Sequence, residues 1–84
     1  MHNKHRKTYE AVFRNPTPAS IVWKDVEAML LALGAEISEG KGSRVRVFLN
    51  DIRAVFHRPH PEKEMDKGAV KSLREFLKKV GASP

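Results

Sequence analysis

Apolar residues along the chain fall into patterned runs separated by turn residues. Trp23, Val26, Met29, Leu30 and Leu33 recur at intervals of three and four, so they share one face of an amphipathic helix. Gly34 follows the last of them, where a left-handed residue ends a helix. Val70, Leu73, Leu77 and Val80, with Phe76 beside them, repeat the pattern over 67–80. Asp66 stands at the start of that run as an N-cap, and Gly81 stops it. Between the two helices the period changes to two. Ser43–Leu49 and Ile52–His57 alternate apolar and polar side chains, as half-buried strands do. Asn50 and Asp51, both tolerant of positive φ, make a two-residue hairpin turn between them. Ala35–Ser38 predicts a further short extended segment, and Glu39-Gly40-Lys41-Gly42 predicts the turn that follows it. Upstream, His5–Phe13 predicts a short helix stopped by Asn15-Pro16 and Pro18. The order is helix, three strands, helix, an α+β domain over 21–84 with a three-stranded antiparallel sheet packed on two helices. Residues 1–20 form an N-terminal helical extension.

The two-residue turn also fixes the register. Leu49 faces Ile52, Val47 faces Ala54 and Val45 faces Phe56, one apolar face for the helices to cover. The other face carries Phe48 opposite Arg53, Arg46 opposite Val55, and Arg44 opposite His57. A one-residue slip would turn Val45, Val47 and Leu49 into water.

Composition narrows the function. With 84 residues there is room for one thin core, and with no cysteine there is neither a disulfide scaffold nor a thiolate metal site. No apolar run approaches the roughly 18 residues of a membrane span, and the first residues lead into no signal-peptide core, so a cytoplasmic protein is expected. The formal charge of +6 is segregated along the chain. Residues 23–39 are net acidic, with Lys24 against Asp25, Glu27, Glu36 and Glu39. Residues 40–60 are basic, with Lys41, Arg44, Arg46, Arg53 and Arg58 against Asp51, and so are residues 67–80. An even solubility coat would not be divided in this way. The net charge points to a polyanion, nucleic acid before membrane, and three arginines, a histidine and an aromatic on one sheet face suit RNA better than small-molecule chemistry. The basic residues Lys4, Arg6 and Lys7 read as a solvated chain end.

Other chemistries fail on spacing. Five residues separate Gly34 from Gly40-Lys41, and Gly42 stands where a phosphate loop needs Ser or Thr. His57 and His60 lie near Glu62 and Glu64, but two prolines in a basic loop make poor metal-ligand geometry, so no metal or other cofactor is expected. No serine lies in a nucleophile-elbow pattern. Metal-free RNA cleavage needs a base for the 2′-hydroxyl, an acid for the 5′-oxygen and cations for the phosphorane. Arg44 beside His57 supplies those ingredients, and a face that only binds RNA would carry them too.

Gly42-Ser43-Arg44 entering an alternating strand, a second strand ending in His57-Arg-Pro-His-Pro, then Glu62-Lys63-Glu64-Met65 and a Lys67-Gly68 helix start together resemble the HicA toxins. The helix end at Ala32–Glu36 and the closing Leu73, Phe76-Leu77 and Val80-Gly81 are similar as well, so the resemblance runs from about Ile21 to Gly81. It implies a double-stranded-RNA-binding-like α-β-β-β-α fold, a ribosome-independent mRNA interferase, and a HicB-like antitoxin covering its site. Family members place a histidine directly after Gly-Ser or one residue later; here Arg44 and Val45 stand there. The second family histidine maps onto His60. With Arg44 in the first histidine's place, its cross-strand neighbour His57 becomes the candidate general base, and His60 the second catalytic candidate. Lys41, Ser43, Arg44, Arg46, Arg53 and Arg58 are the candidate RNA-binding residues. A non-catalytic RNA-binding module and a purely antitoxin-binding module are the competing functions, and residues 1–20 offer a surface for self-association.

Overall fold

The computed structural model describes residues 2–81. Three helices, α1 (Asn3–Val12), α2 (Trp23–Ala32) and α3 (Lys67–Val80), frame three strands, β1 (Glu36–Glu39), β2 (Arg44–Leu49) and β3 (Ile52–His57). The strands form one antiparallel sheet in the order β1-β2-β3.

The β2–β3 hairpin has the register its turn demands. Asn50 and Asp51 take φ of 49° and 65°, the paired left-handed conformation that matches the twist of a hairpin. Leu49 then pairs with Ile52, Val47 with Ala54, Val45 with Phe56 and Arg44 with His57. Asn50 adds a long-range tie: its Nδ2 donates to the Val80 carbonyl at 2.8 Å, satisfying a carbonyl that the end of α3 leaves free. At the other end of α3, the Asp66 carboxylate accepts from the Ala69 amide at 2.7 Å, and Gly81 closes the helix with φ 65°.

The core lies between the inner sheet face and the helices. Val45, Val47 and Leu49 from β2 meet Val26, Met29 and Leu30 from α2 and Leu73 and Leu77 from α3, all buried. Burying the three β2 side chains contributes on the order of 5 kcal/mol. Trp23, Phe56 and Phe76 form an aromatic chain through the core, with ring centroids 6.2 Å and 5.8 Å apart. The connection before α2 pairs with the one before α3: the Met65 amide donates to the Ile21 carbonyl at 2.8 Å and the Trp23 amide to the Lys63 carbonyl at 3.0 Å.

The basic residues Lys4, Arg6 and Lys7 are exposed, as expected of a solvated chain end, but the helix that carries them packs on the core. This helix begins at Asn3, capped by the His2 imidazole accepting from the Lys4 amide. Val12 is fully buried, with Tyr9, Ala11 and Phe13 packed against the same core. Arg74 of α3 holds the segment, donating from Nε to the Val12 carbonyl at 2.9 Å and from a terminal nitrogen to the Arg14 carbonyl at 3.1 Å and the Thr17 hydroxyl at 3.3 Å. Lys4 also reaches Asp25 of α2 at 3.8 Å. A basic α3 residue is thus spent on the fold, because a rigid guanidinium fork can satisfy several carbonyls at a helix end at once.

Candidate nucleic-acid interface

The outer sheet face is built by alternation. Opposed residues share a face, so Arg44, Arg46 and Phe48 of β2 lie beside His57, Val55 and Arg53 of β3, with Glu36 and Ser38 of β1 alongside. Arg44, Arg46, Arg53 and His57 are all exposed. The Arg53 guanidinium stacks over the Phe48 ring at 5.3 Å from its centroid, a cation–π contact that holds the charge flat on the sheet. Arg46 donates to the Glu39 carbonyl at 3.3 Å. Arg44 has no side-chain partner among the described residues, so its guanidinium is free to meet an anion.

The turn feeding β2 places one more basic group, Lys41, and the Ser43 hydroxyl at this end. The Gly40 amide donates to the Arg44 carbonyl at 2.8 Å and the Arg44 amide to the Lys41 carbonyl at 3.3 Å. Gly42 adopts φ 65°, a conformation that costs a side-chain-bearing residue energy. A Cβ on Gly40 would lie 3.2 Å from Cβ of Arg44, so this glycine lets the turn close against the strand. Lys41 and Ser43 are exposed in the turn, next to the end of β2 where Arg44 faces His57.

His57 and His60 line one groove of about 450 Å³, with Arg58, Glu62, Glu64 and Asp66. The groove runs between the end of β3, the following loop and the start of α3, so the structure brings both histidines to one cleft bordering the arginine face. Arg58 belongs elsewhere. Its amide donates to the Ser43 carbonyl at 2.7 Å, and its guanidinium lies with acidic groups, binding Glu39 through two contacts of 2.7 and 3.1 Å and Glu27 of α2 at 3.4 Å. The Arg58 hydrogen bond holds the Glu39 carboxyl below its ordinary range, and the same bond raises the Arg58 guanidinium. Of the RNA-binding candidates, Lys41, Ser43, Arg44, Arg46 and Arg53 therefore cluster at the turn and outer face, while Arg58 joins the sheet to α2. Glu27 and Glu39 as its partners were not foreseen. Their only signal in the sequence was the acidic excess of residues 23–39, which says nothing about which cation they meet.

Among the described residues no group of three or more metal-ligating side chains converges, and no helix is long and apolar enough to cross a membrane. The chain matches the family model described as HicA toxin of bacterial toxin-antitoxin over residues 23–82. The chain belongs to the HicA toxin family. It is accordingly the toxin of a toxin–antitoxin pair, and membership implies a cognate antitoxin partner. No curated protein and no solved structure gives a significant match. The HicA match begins at Trp23, the first residue of α2, so α1 lies outside the matched unit, yet it shares the core of that unit and is held by Arg74 from within it.

Proposed function

We propose that this HicA-family chain is a cytoplasmic, RNA-binding mRNA interferase that cleaves mRNA without a metal or other cofactor and so inhibits translation and growth. The reading rests above all on one observation: Arg44, Arg46, Arg53 and His57 stand side by side on one exposed sheet face. Arg44, Arg46, Arg53 and Lys41 meet phosphates, Ser43 donates from its hydroxyl, and Phe48 under Arg53 offers a stacking surface for an unpaired base.

His57 acts as general base. It takes the proton of a 2′-hydroxyl, whose oxygen attacks the adjacent phosphorus. Arg44, directly across the ladder, stabilises the negative charge of the resulting phosphorane. The phosphorus–5′-oxygen bond then breaks, and His60 gives the departing oxygen its proton, leaving a 2′,3′-cyclic phosphate and a 5′-hydroxyl. The antitoxin silences the toxin by covering this face.

The test is incubation of the pure protein with end-labelled mRNA in EDTA. Wild type is expected to cleave, and His57→Ala to cleave about 100-fold or more slowly while remaining folded. A folded His57→Ala protein as toxic and as active as wild type removes His57 from the chemistry. The second reading, RNA binding without cleavage, is favoured by Arg44 standing directly after Gly42-Ser43, where relatives carry a histidine. It prevails if wild type binds the mRNA and leaves it intact.

A further inference from the structure

The sheet ends at β3, whose outer edge is paired with no strand among the described residues. Which backbone groups that edge offers follows from the hairpin. A two-residue turn makes Leu49 and Ile52 a hydrogen-bonded pair, and bonded pairs recur every second residue. The Arg58 amide on the Ser43 carbonyl at 2.7 Å closes the same series at its far end. Ile52, Ala54 and Phe56 thus spend their amides and carbonyls on β2, while those of Arg53, Val55 and His57 point outward. Val55 is also one of two large apolar residues left exposed among those described, at 56 %. An unprotected edge with an apolar centre is a template for another strand.

Two grooves run along this edge, between β3 and α3, and Val55, Phe56 and Ser72 line both. Toward the hairpin the lining is Arg53, Glu75 and Lys79, with Glu75 held by Lys78 at 3.3 Å. Toward the other end it includes His57, Arg58, Glu62, Glu64 and Asp66. The charge pattern has one basic end, an apolar middle and one end carrying three carboxylates. A strand from an acidic partner would match the first end and be repelled by the last.

We propose that the occupant is a second copy of this chain, paired β3 to β3 in antiparallel fashion about a two-fold axis at Val55. That arrangement sets Val55 against Val55 of the second copy and exchanges the outward amides and carbonyls of Arg53, Val55 and His57 for six ladder hydrogen bonds. Beneath the sheet, the two α3 helices run antiparallel past Ser72, so Lys79 of each approaches Glu64 and Asp66 of the other. The contact is isologous and closes on itself, which excludes open-ended growth. It joins two three-stranded sheets into one of six strands and sets Arg53 of one copy across from His57 of the other. The pairing itself does not depend on RNA binding; the composite Arg53–His57 site does rest on the proposed function.

Sedimentation of the full chain from micromolar to millimolar concentration tests it, together with amide hydrogen exchange at each concentration. A monomer–dimer equilibrium is expected, with protection of the Arg53, Val55 and His57 amides rising as dimer forms while those of Ile37 and Glu39 in β1 stay unchanged. Val55→Lys places like charges together on the axis and should weaken dimerisation about tenfold or more. Val55→Pro removes an outward donor that β2 does not use and should act in the same direction. Lys79→Glu should weaken the dimer and Lys79→Glu with Glu64→Lys should restore it. A chain still monomeric at millimolar concentration overturns the proposal. So does a dimer indifferent to a folded Val55→Lys variant, or one whose protection appears in β1 or α1. RNA affinity measured on the wild-type chain at dimer-forming concentration separates the two proposals: a dimer that binds no RNA sinks the proposed function alone.

Discussion

Five arginines divide between two surfaces of this small domain, and the two groups do opposite things. Arg44, Arg46 and Arg53 occupy the outer sheet face, where one has no side-chain partner, one touches a single carbonyl and one lies on an aromatic ring. Arg58 and Arg74 lie away from that face and are saturated, the first by two carboxylates and the second by two carbonyls and a hydroxyl. Identical side chains therefore keep donors free in one place and serve architecture in the other. Net charge counts all five toward a polyanion partner, yet only unsatisfied cations have donors left to give one. Among these five arginines, the three with donors left over share the face that carries His57.

The sharpest way to break this division is to remove a saturated arginine. Arg74→Ala strands the Val12 and Arg14 carbonyls and loosens α1 from α3, so stability should fall by about 2 kcal/mol. In a domain of this size that lowers Tm by roughly 8–16 °C. RNA affinity, measured well below the new Tm, should be unchanged. Calorimetry and a binding isotherm on one sample check both halves. An intact Tm with weakened RNA binding would move Arg74 to the recognition side.

The unsatisfied set should behave in reverse. Arg44→Ala with Arg53→Ala removes two phosphate contacts and leaves the core untouched, so Tm should move by less than about 1 kcal/mol equivalent. The slope of log affinity against log salt should flatten by about 1.4 units for a single strand. Arg46→Ala alone should flatten it by about one unit or less, and weaken all RNA sequences alike. An affinity independent of salt in the wild type would remove these residues from any role with RNA.

How far the sequence announced this division differs from element to element. The hairpin was legible to the residue, because alternation on both strands and Asn50-Asp51 constrain one another and leave a single register. The C-terminal helix was legible from Asp66 to Gly81, since its caps are local. The site's arginine face followed from the register alone. What escaped was every pairing set by distant chain. Val12 is buried only because α3 and α2 pack over it, and Arg74 meets carbonyls some sixty residues away. Arg58 reads like the other basic residues of 40–60 until the β1–β2 register brings Glu39 beneath it. Period and turn chemistry report local geometry; they do not report which charge has found a partner.

The smallest effect separates Arg58 from the outer face by pH. Glu39 is exposed, and its carboxyl is held below its ordinary range by the Arg58 hydrogen bond. In the unfolded chain that bond is absent, so the folded state binds the proton less readily. The stabilisation is then fully present above the ordinary carboxylate range near pH 4–5. It is lost as pH falls through the lowered Glu39 value. Wild type should therefore lose slightly more stability than Glu39→Gln between pH 5 and pH 3, while the two share the same salt dependence of RNA binding at pH 7. Arg58→Ala should abolish that difference in acid stability, because without the guanidinium the Glu39 carboxyl has nothing to hold it down. Equal acid profiles for wild type and Glu39→Gln would mean that the Arg58 bridge contributes nothing to the fold. Arg58 would then be a cation available to RNA like Arg44, and its replacement by alanine should flatten the salt slope as Arg46→Ala does.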